Sequence, residues 1–128
     1  MSGEGQARLR ELMHRGTEFL GCDYAILGGA MSWISERHLV SAISNAGGFG
    51  VIACGAMTPD LLDTEIAETK KRTTRPFGVN LITMHPMLSE LIDVRAQHQV
   101  THVVLAGGLP PGGAIDRIKG NGAKLIIS

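Results

Sequence analysis

Five short apolar runs recur along this chain at intervals of about 22–28 residues, the length of one β-strand plus a crossover helix. They are Tyr24 to Leu27, Gly50 to Cys54, Phe77 to Ile82, His102 to Ala106 and Lys124 to Ile127. Helical patterns fill the gaps, near Ser35 to Asn45, Pro59 to Arg72, Met87 to His98 and Gly113 to Lys119. Runs such as Val51-Ile52-Ala53 and Val103-Val104-Leu105-Ala106 do not alternate between apolar and polar residues. A strand of that kind is covered on both faces, as in a parallel sheet packed between layers. Seventeen glycines against five aromatic residues fit a fold with many tight strand-to-helix joints.

Local punctuation supports the same division. Thr58 followed by Pro59 and Asp60 predicts a helix start: a side-chain cap, a proline at the first helical position and a negative charge in the first turn. Gly47 and Gly120 stand where helix C-caps are expected. Leu9, Leu12 and Met13 recur at helical spacing among charged residues, predicting a lead-in helix over residues 1–16 that closes near Gly16. The whole of 1–128 reads as a single domain, with no linker or low-complexity tract.

Strict α/β alternation fits an open doubly wound sheet or the first part of a (β/α)8 barrel, and periodicity alone does not choose. A dinucleotide-binding sheet calls for G-x-G-x-x-G after its first strand. Here the first turn is Gly28-Gly29-Ala30-Met31-Ser32-Trp33, which lacks that spacing.

Lysine plus arginine equals aspartate plus glutamate, twelve of each, so the chain builds no one-signed field for nucleic acid or an anionic membrane. Neither partner is expected. Cys22 and Cys54 are far apart, with no CxxC pair and no histidine at zinc-ligand spacing, and read as inert reduced thiols. No run resembles a signal sequence or a membrane span, so a cytoplasmic location is expected.

In a parallel α/β fold a ligand sits beyond the C-terminal ends of the strands. After the first strand, Gly28, Gly29 and Ala30 would let a flat ring approach the backbone. The N–H groups of Ala30 and Met31 are expected to be free for its polar edge, with Met31 a soft contact on its face. The competing reading is an ordinary glycine turn with Met31 and Trp33 in the core. Asn80, after Phe77-Gly78-Val79, can both donate and accept, which suits the N–C=O edge of a flavin; otherwise it is a turn residue bonding its own backbone. Gly107 opens the loop Ala106 to Gly113, whose Pro110 and Pro111 lack donors, so this loop reads as a wall. Of the histidines, His85 alone falls on the expected active face, and it reads as a solvated loop residue. No Ser-His-Asp set, carboxylate pair or Walker-type loop can be assembled, and no catalytic residue is assigned.

Taken in order, Thr17 to Gly21, Tyr24 to Trp33, Ser44 to Gly50 and Arg75 to Leu81 resemble the nitronate monooxygenases, formerly 2-nitropropane dioxygenases, and the related flavin-dependent enoyl-acyl-carrier-protein reductases. The resemblance runs from about Thr17 to Ile127. It implies about five strands of an FMN-binding TIM barrel, with Gly29, Ala30 and Met31 against the flavin and Asn80 bonding FMN as in the family's F-G-V-N; Gly107, in a loop whose amides could face a ligand, is the further cofactor-binding candidate. Gly28 stands where relatives often have glutamine, and Ala25 where they often have proline. The family's catalytic histidine follows the sixth strand, and its phosphate-binding glycines follow the seventh and eighth.

The resemblance therefore implies an FMN-dependent oxidoreductase that oxidises nitronates with dioxygen, represented here by its N-terminal portion and inactive alone. The alternatives are an enoyl-thioester reductase using NAD(P)H and a non-catalytic half-barrel module for binding or assembly. Unpaired first and last strands predict self-association or docking with the missing part of the barrel.

Overall fold

The computed structural model describes residues 2–128. In chain order the elements are α1 (Gly3–Leu20), β1 (Leu27–Gly28), α2 (Arg37–Asn45), β2 (Phe49–Ala53), α3 (Pro59–Arg72), β3 (Phe77–Ile82), α4 (Leu88–Gln97), β4 (His102–Ala106), α5 (Ala114–Gly120) and β5 (Lys124–Ile127). All pairings are parallel, and the strands lie side by side in the order β1-β2-β3-β4-β5.

That order decides between the two architectures. A doubly wound sheet reverses its strand order partway, so helices cover both faces. Here each strand lies next to its predecessor, right-handed crossovers keep α2 to α5 on one side, and the sheet curls into a half-barrel matching the N-terminal part of a TIM barrel.

Register sorts the side chains. Ile52, Val79, Val103 and Leu125 form one row across the sheet. They pack against Leu62 and Ile66 of α3, Leu91 and Ile92 of α4 and Ile118 of α5. Full burial of each such side chain contributes about 1.5–3 kcal/mol, so this helix-facing core dominates stability. The next row, Ala53, Asn80, Val104 and Ile126, faces the concave side. There Phe49, Val51 and Val104 form a smaller cluster with Leu20 and Cys22.

Most elements start and stop where their residues dictate. Thr58 accepts from the Leu61 N–H at 3.3 Å, and Lys70, Lys71 and Arg72 close α3 against its dipole. Helix α1 departs from expectation by running on to Leu20 and ending at left-handed Gly21 (φ 72°). Gly16 is not its terminator; a Cβ there would lie 2.5 Å from that of Ala25, so glycine is what lets α1 approach the chain leading into β1. That lead-in is not a regular strand: Asp23 and Tyr24 both donate to the Gly47 carbonyl, and the ladder itself holds only Leu27 and Gly28. Gly47 (φ 97°) follows α2 as expected, whereas Gly120 is the last residue of α5 and Gly122 (φ 80°) makes the left-handed turn.

Buried polar groups in the helix layer are tied unevenly. Arg37 at the start of α2 grips Glu65 of α3 through both carboxylate oxygens. Burial alone would raise the Glu65 carboxyl, but the Arg37 hydrogen bonds outweigh it and hold it below its ordinary range. Arg95 has no such partner. It shares the sheet-facing side of α4 with Leu88, Leu91 and Ile92, is 1% exposed, and leaves Nε and Nη2 without hydrogen bonds; burial pushes its pKa down.

The C-terminal end of α1 stoppers the other end of the half-barrel. The Phe19 carbonyl accepts from His102 Nε2 at 2.7 Å and from Lys124 Nζ at 2.9 Å, while the Phe19 ring meets the His102 ring edge-on at 5.5 Å. Thr101 Oγ1 lies 2.8 Å from His102 Nδ1, so both ring nitrogens are engaged. Burial pushes the His102 pKa down and the nearby Lys124 charge adds to it, against the pull of the Phe19 carbonyl.

Two outcomes follow. A histidine with a depressed pKa binds its proton more readily unfolded than folded, so stability is fully present above the ordinary value of 6.5 and is lost as pH falls below it. Urea midpoints measured between neutral and mildly acid pH should fall for the native chain and flatten in His102→Gln; equal slopes would contradict the assignment. Replacing buried, unpaired Arg95 by methionine should raise stability by about 1–2 kcal/mol in the same assay, since the lost charge was uncompensated; a lower midpoint would show that the guanidinium is well solvated or paired.

Candidate functional site

The residues singled out as a site gather at the C-terminal ends of β1, β3 and β4. Just past β1, Ser35 organises the turn. Its Oγ donates to the Gly29 carbonyl at 3.0 Å and accepts from the Met31 N–H at 2.9 Å, and its own N–H bonds the Met31 carbonyl at 2.8 Å. The Ser35 carbonyl in turn accepts from Ala53 at the end of β2. Ser35 is 2% exposed, so the turn is fixed by a buried hydroxyl rather than by its glycines alone. The sequence signal was available, since serine commonly bonds backbone a few residues away in a turn.

This clamp corrects one expectation. The Met31 N–H is already used and is not open to a ligand. The Ala30 N–H has no partner among the described residues, and the open side of Gly29 has no atom within 4 Å of a would-be Cβ. The alternative of Met31 and Trp33 as core fillers also fails: they are 49% and 71% exposed, and Trp33 holds a left-handed backbone at φ 66°. Gly28 faces away from this surface, since a Cβ there would meet Ile43 Cδ1 of α2 at 2.4 Å. A longer side chain at 28 would require Ile43 to move before it could contribute to the site.

Asn80 lies within β3, paired with Ala53 on one side and Val104 on the other, so it is not a turn residue. Its carbonyl accepts from the Cys54 N–H at 3.1 Å. Its half-buried side-chain amide makes no hydrogen bond among the described residues and belongs to the concave row. Ala30 packs against the same concave cluster, which includes Val104, Asn80's neighbour in register. Gly107 follows β4 at φ 95°, and a Cβ on it would come within 3.2 Å of Ile82 Cγ2, so the loop folds closely over the end of β3. Ala30 and Asn80 thus share one face, with Met31 and Gly107 on its rim.

His85 is not a free loop residue. Its Nε2 lies 3.0 Å from the Met57 carbonyl, and its Nδ1 accepts from the Met87 N–H at 3.0 Å. The ring clips the loop after β2 to the loop after β3 and completes the start of α4. Cys54 is fully buried, and burial pushes its thiol up to about 12, which makes it unreactive. Among the described residues no group of His, Cys, Asp and Glu could hold a metal ion, and no helix is long and apolar enough to cross a membrane.

Beside this surface runs a cleft of about 480 Å³ between the loops after β2 and β3, lined by Met57, Ile82, Met84 and Met87 among others. Met84 is 82% exposed, and Leu109 across the rim is 95% exposed. The site therefore offers hydrogen-bonding groups on a small-residue floor, with an apolar margin. Among the described residues the titratable side chain lining this cleft is His85, whose two ring nitrogens are already engaged.

Comparison with known proteins agrees with this fold. The chain matches the nitronate monooxygenase family over residues 14–127. It is 34% identical over 114 residues to a Mycobacterium tuberculosis protein named (3aS,4S,5R,7aS)-5-hydroxy-7a-methyl-1-oxo-octahydro-1H-indene-4-carboxyl-CoA dehydrogenase, covering 88% of this chain and 31% of that one. A probable nitronate monooxygenase of Staphylococcus haemolyticus is 38% identical over 65 residues, covering 51% of this chain and 18% of its own length. The structure of FabK from Thermotoga maritima superposes with a TM-score of 0.84 at 39% identity, over 88% of this chain and 36% of FabK. The chain thus spans about a third or less of these relatives. With its half-barrel fold and a match that runs over residues 14–127, the chain belongs to the nitronate monooxygenase family.

Proposed function

We propose that this chain is the N-terminal portion of an FMN-dependent oxidoreductase, in which the segment after β1 and Asn80 of β3 hold the flavin. The observation that carries the reading is the unpartnered Asn80 amide on the concave face, shared with Ala30 and its open N–H. A half-buried amide without a partner gives up hydrogen bonds that water would provide, and a ligand that restores them is bound specifically. The residues fit a flavin: Gly29 leaves room for a flat ring, the Ala30 N–H can donate to its polar edge, Asn80 can donate or accept, and Met31 is exposed beside it.

Bound there, FMN would supply reversible two-electron chemistry. The chain's own part is binding and orientation: Ser35 fixes the turn, and the apolar margin formed by Met84 and Leu109 excludes water from an organic substrate. By family, that substrate is a nitronate oxidised with dioxygen. An enoyl-thioester reductase using NAD(P)H is the second reading, favoured by a relative aligned over 88% of the chain whose name carries a carboxyl-CoA group. We further propose that the open edges of β1 and β5, with Ile26, Leu27 and Ile127 more than 40% exposed, pair with the remaining strands of a barrel or with another copy.

The test is FMN uptake. Titration of the purified chain followed by flavin fluorescence should show saturable binding, and Asn80→Ala should weaken it roughly tenfold, the value of one hydrogen bond to a partly buried group. Gly29→Val should weaken it further by obstructing the ring. A chain that takes up no flavin would favour the non-catalytic module, and uptake indifferent to both substitutions would place the flavin elsewhere.

A further inference from the structure

Outside the flavin surface, a second cleft of about 390 Å³ lies between the N-terminal ends of α4 and α5, bordered by Thr83, Ser89, Ile92, Gly112, Gly113 and Arg117. Its floor is unusual. Thr83 is 4% exposed, and its Oγ1 has no hydrogen-bond partner. A buried hydroxyl in that state costs free energy that a ligand atom can recover.

The rest of the lining points to what the ligand is. The first-turn N–H groups of Ser89 and Glu90 in the ten-residue α4 make no bond to loop or side chain. Ser89 Oγ accepts from Arg117 Nη1 at 2.7 Å, which leaves its own hydrogen free to donate. Arg117 also bonds Asp93 one turn further along α4, so it is held in place across the mouth of the cleft. No aspartate or glutamate lines the cleft. With the Arg117 charge shared with Asp93 at the mouth, what the lining leaves open is a set of donors, the Thr83 and Ser89 hydroxyls and the first N–H groups of α4, which suits a group with several acceptor oxygens.

We propose that the α4/α5 cleft is a subsite for a phosphate ester, bound through Thr83 Oγ1, the start of α4 and Arg117. The inference goes beyond the flavin reading and does not need it, because none of these residues belongs to the concave row. The cleft lies on the same end of the sheet as Asn80 and Gly107. It would therefore hold the phosphate-bearing tail of a substrate or cosubstrate whose reacting end reaches the concave face. Coenzyme A and NADPH serve as probes of that chemistry, each a phosphate ester with a long organic arm.

Amide chemical shifts of the 128-residue chain, titrated separately with inorganic phosphate, coenzyme A and NADPH, test the idea. At least one of the three should shift Ser89, Glu90, Gly112 and Gly113 in a saturable way, and whether coenzyme A or NADPH binds more tightly identifies the source. Thr83→Val keeps the side-chain shape, so the fold should persist by circular dichroism while affinity falls roughly tenfold. Arg117→Gln should weaken binding as much or more and remove its salt dependence. Absence of shifts with all three probes, or shifts that survive both substitutions unchanged, would overturn the proposal. Because FMN is itself a phosphate ester, it is titrated into Thr83→Val as well: unchanged FMN uptake there, with phosphate binding weakened, separates this cleft from the flavin surface.

Discussion

Parallel pairing between sequence neighbours is the constraint on which the rest of this structure depends. Because β1 to β5 adjoin in chain order, α2 to α5 lie on the same side and the opposite face is left to a sparse set of residues. The helix-facing row is wholly aliphatic, Ile52, Val79, Val103 and Leu125. One residue along, the concave row admits Asn80 between Ala53 and Val104. A one-residue slip in β3 would exchange Asn80 with Val79 or Leu81, placing an amide in the aliphatic core, and this fixes the register. The same register that stabilises the sheet therefore presents the amide.

The two ends of the half-barrel are built differently. At the N-terminal ends of the strands, Phe19 of α1 is held by His102 and Lys124, which closes the concave face from below. At the other end the backbone is arranged by small polar clamps, Ser35 over Gly29 and Met31, and His85 between Met57 and Met87. One end is closed by α1, and the other carries the strand-to-helix loops, the face at which a TIM barrel presents its variable segments.

Much of this was legible in the residues. The unbroken apolar runs announced a covered parallel sheet, and α3, β3, β4 and β5 fall where the pattern placed them. What escaped was whatever depends on long-range contact. Gly16 looks like a helix stop, yet its missing side chain serves packing against Ala25. Tyr24 to Ile26 have strand-like residues, but their hydrogen bonds go to the Gly47 turn and the start of β2 rather than to a full ladder. At the site, Gly29, Ala30 and Asn80 were nominated by residue type at strand ends, and the Ser35 clamp on Met31 lies within reach of a local pattern, whereas His85 ties two loops through a partner 28 residues away that no local pattern displays. Thr83 is an ordinary residue in sequence and becomes conspicuous only once its burial is seen.

The central claim is that the turn after β1 and Asn80 of β3 serve one ligand. Nuclear Overhauser contacts from the aromatic protons of added FMN to assigned side chains address it most directly. The account predicts contacts to both the Met31 methyl group and the Asn80 side-chain amide in the same complex. Contacts to only one of the two, or to residues of the helix layer instead, would contradict it.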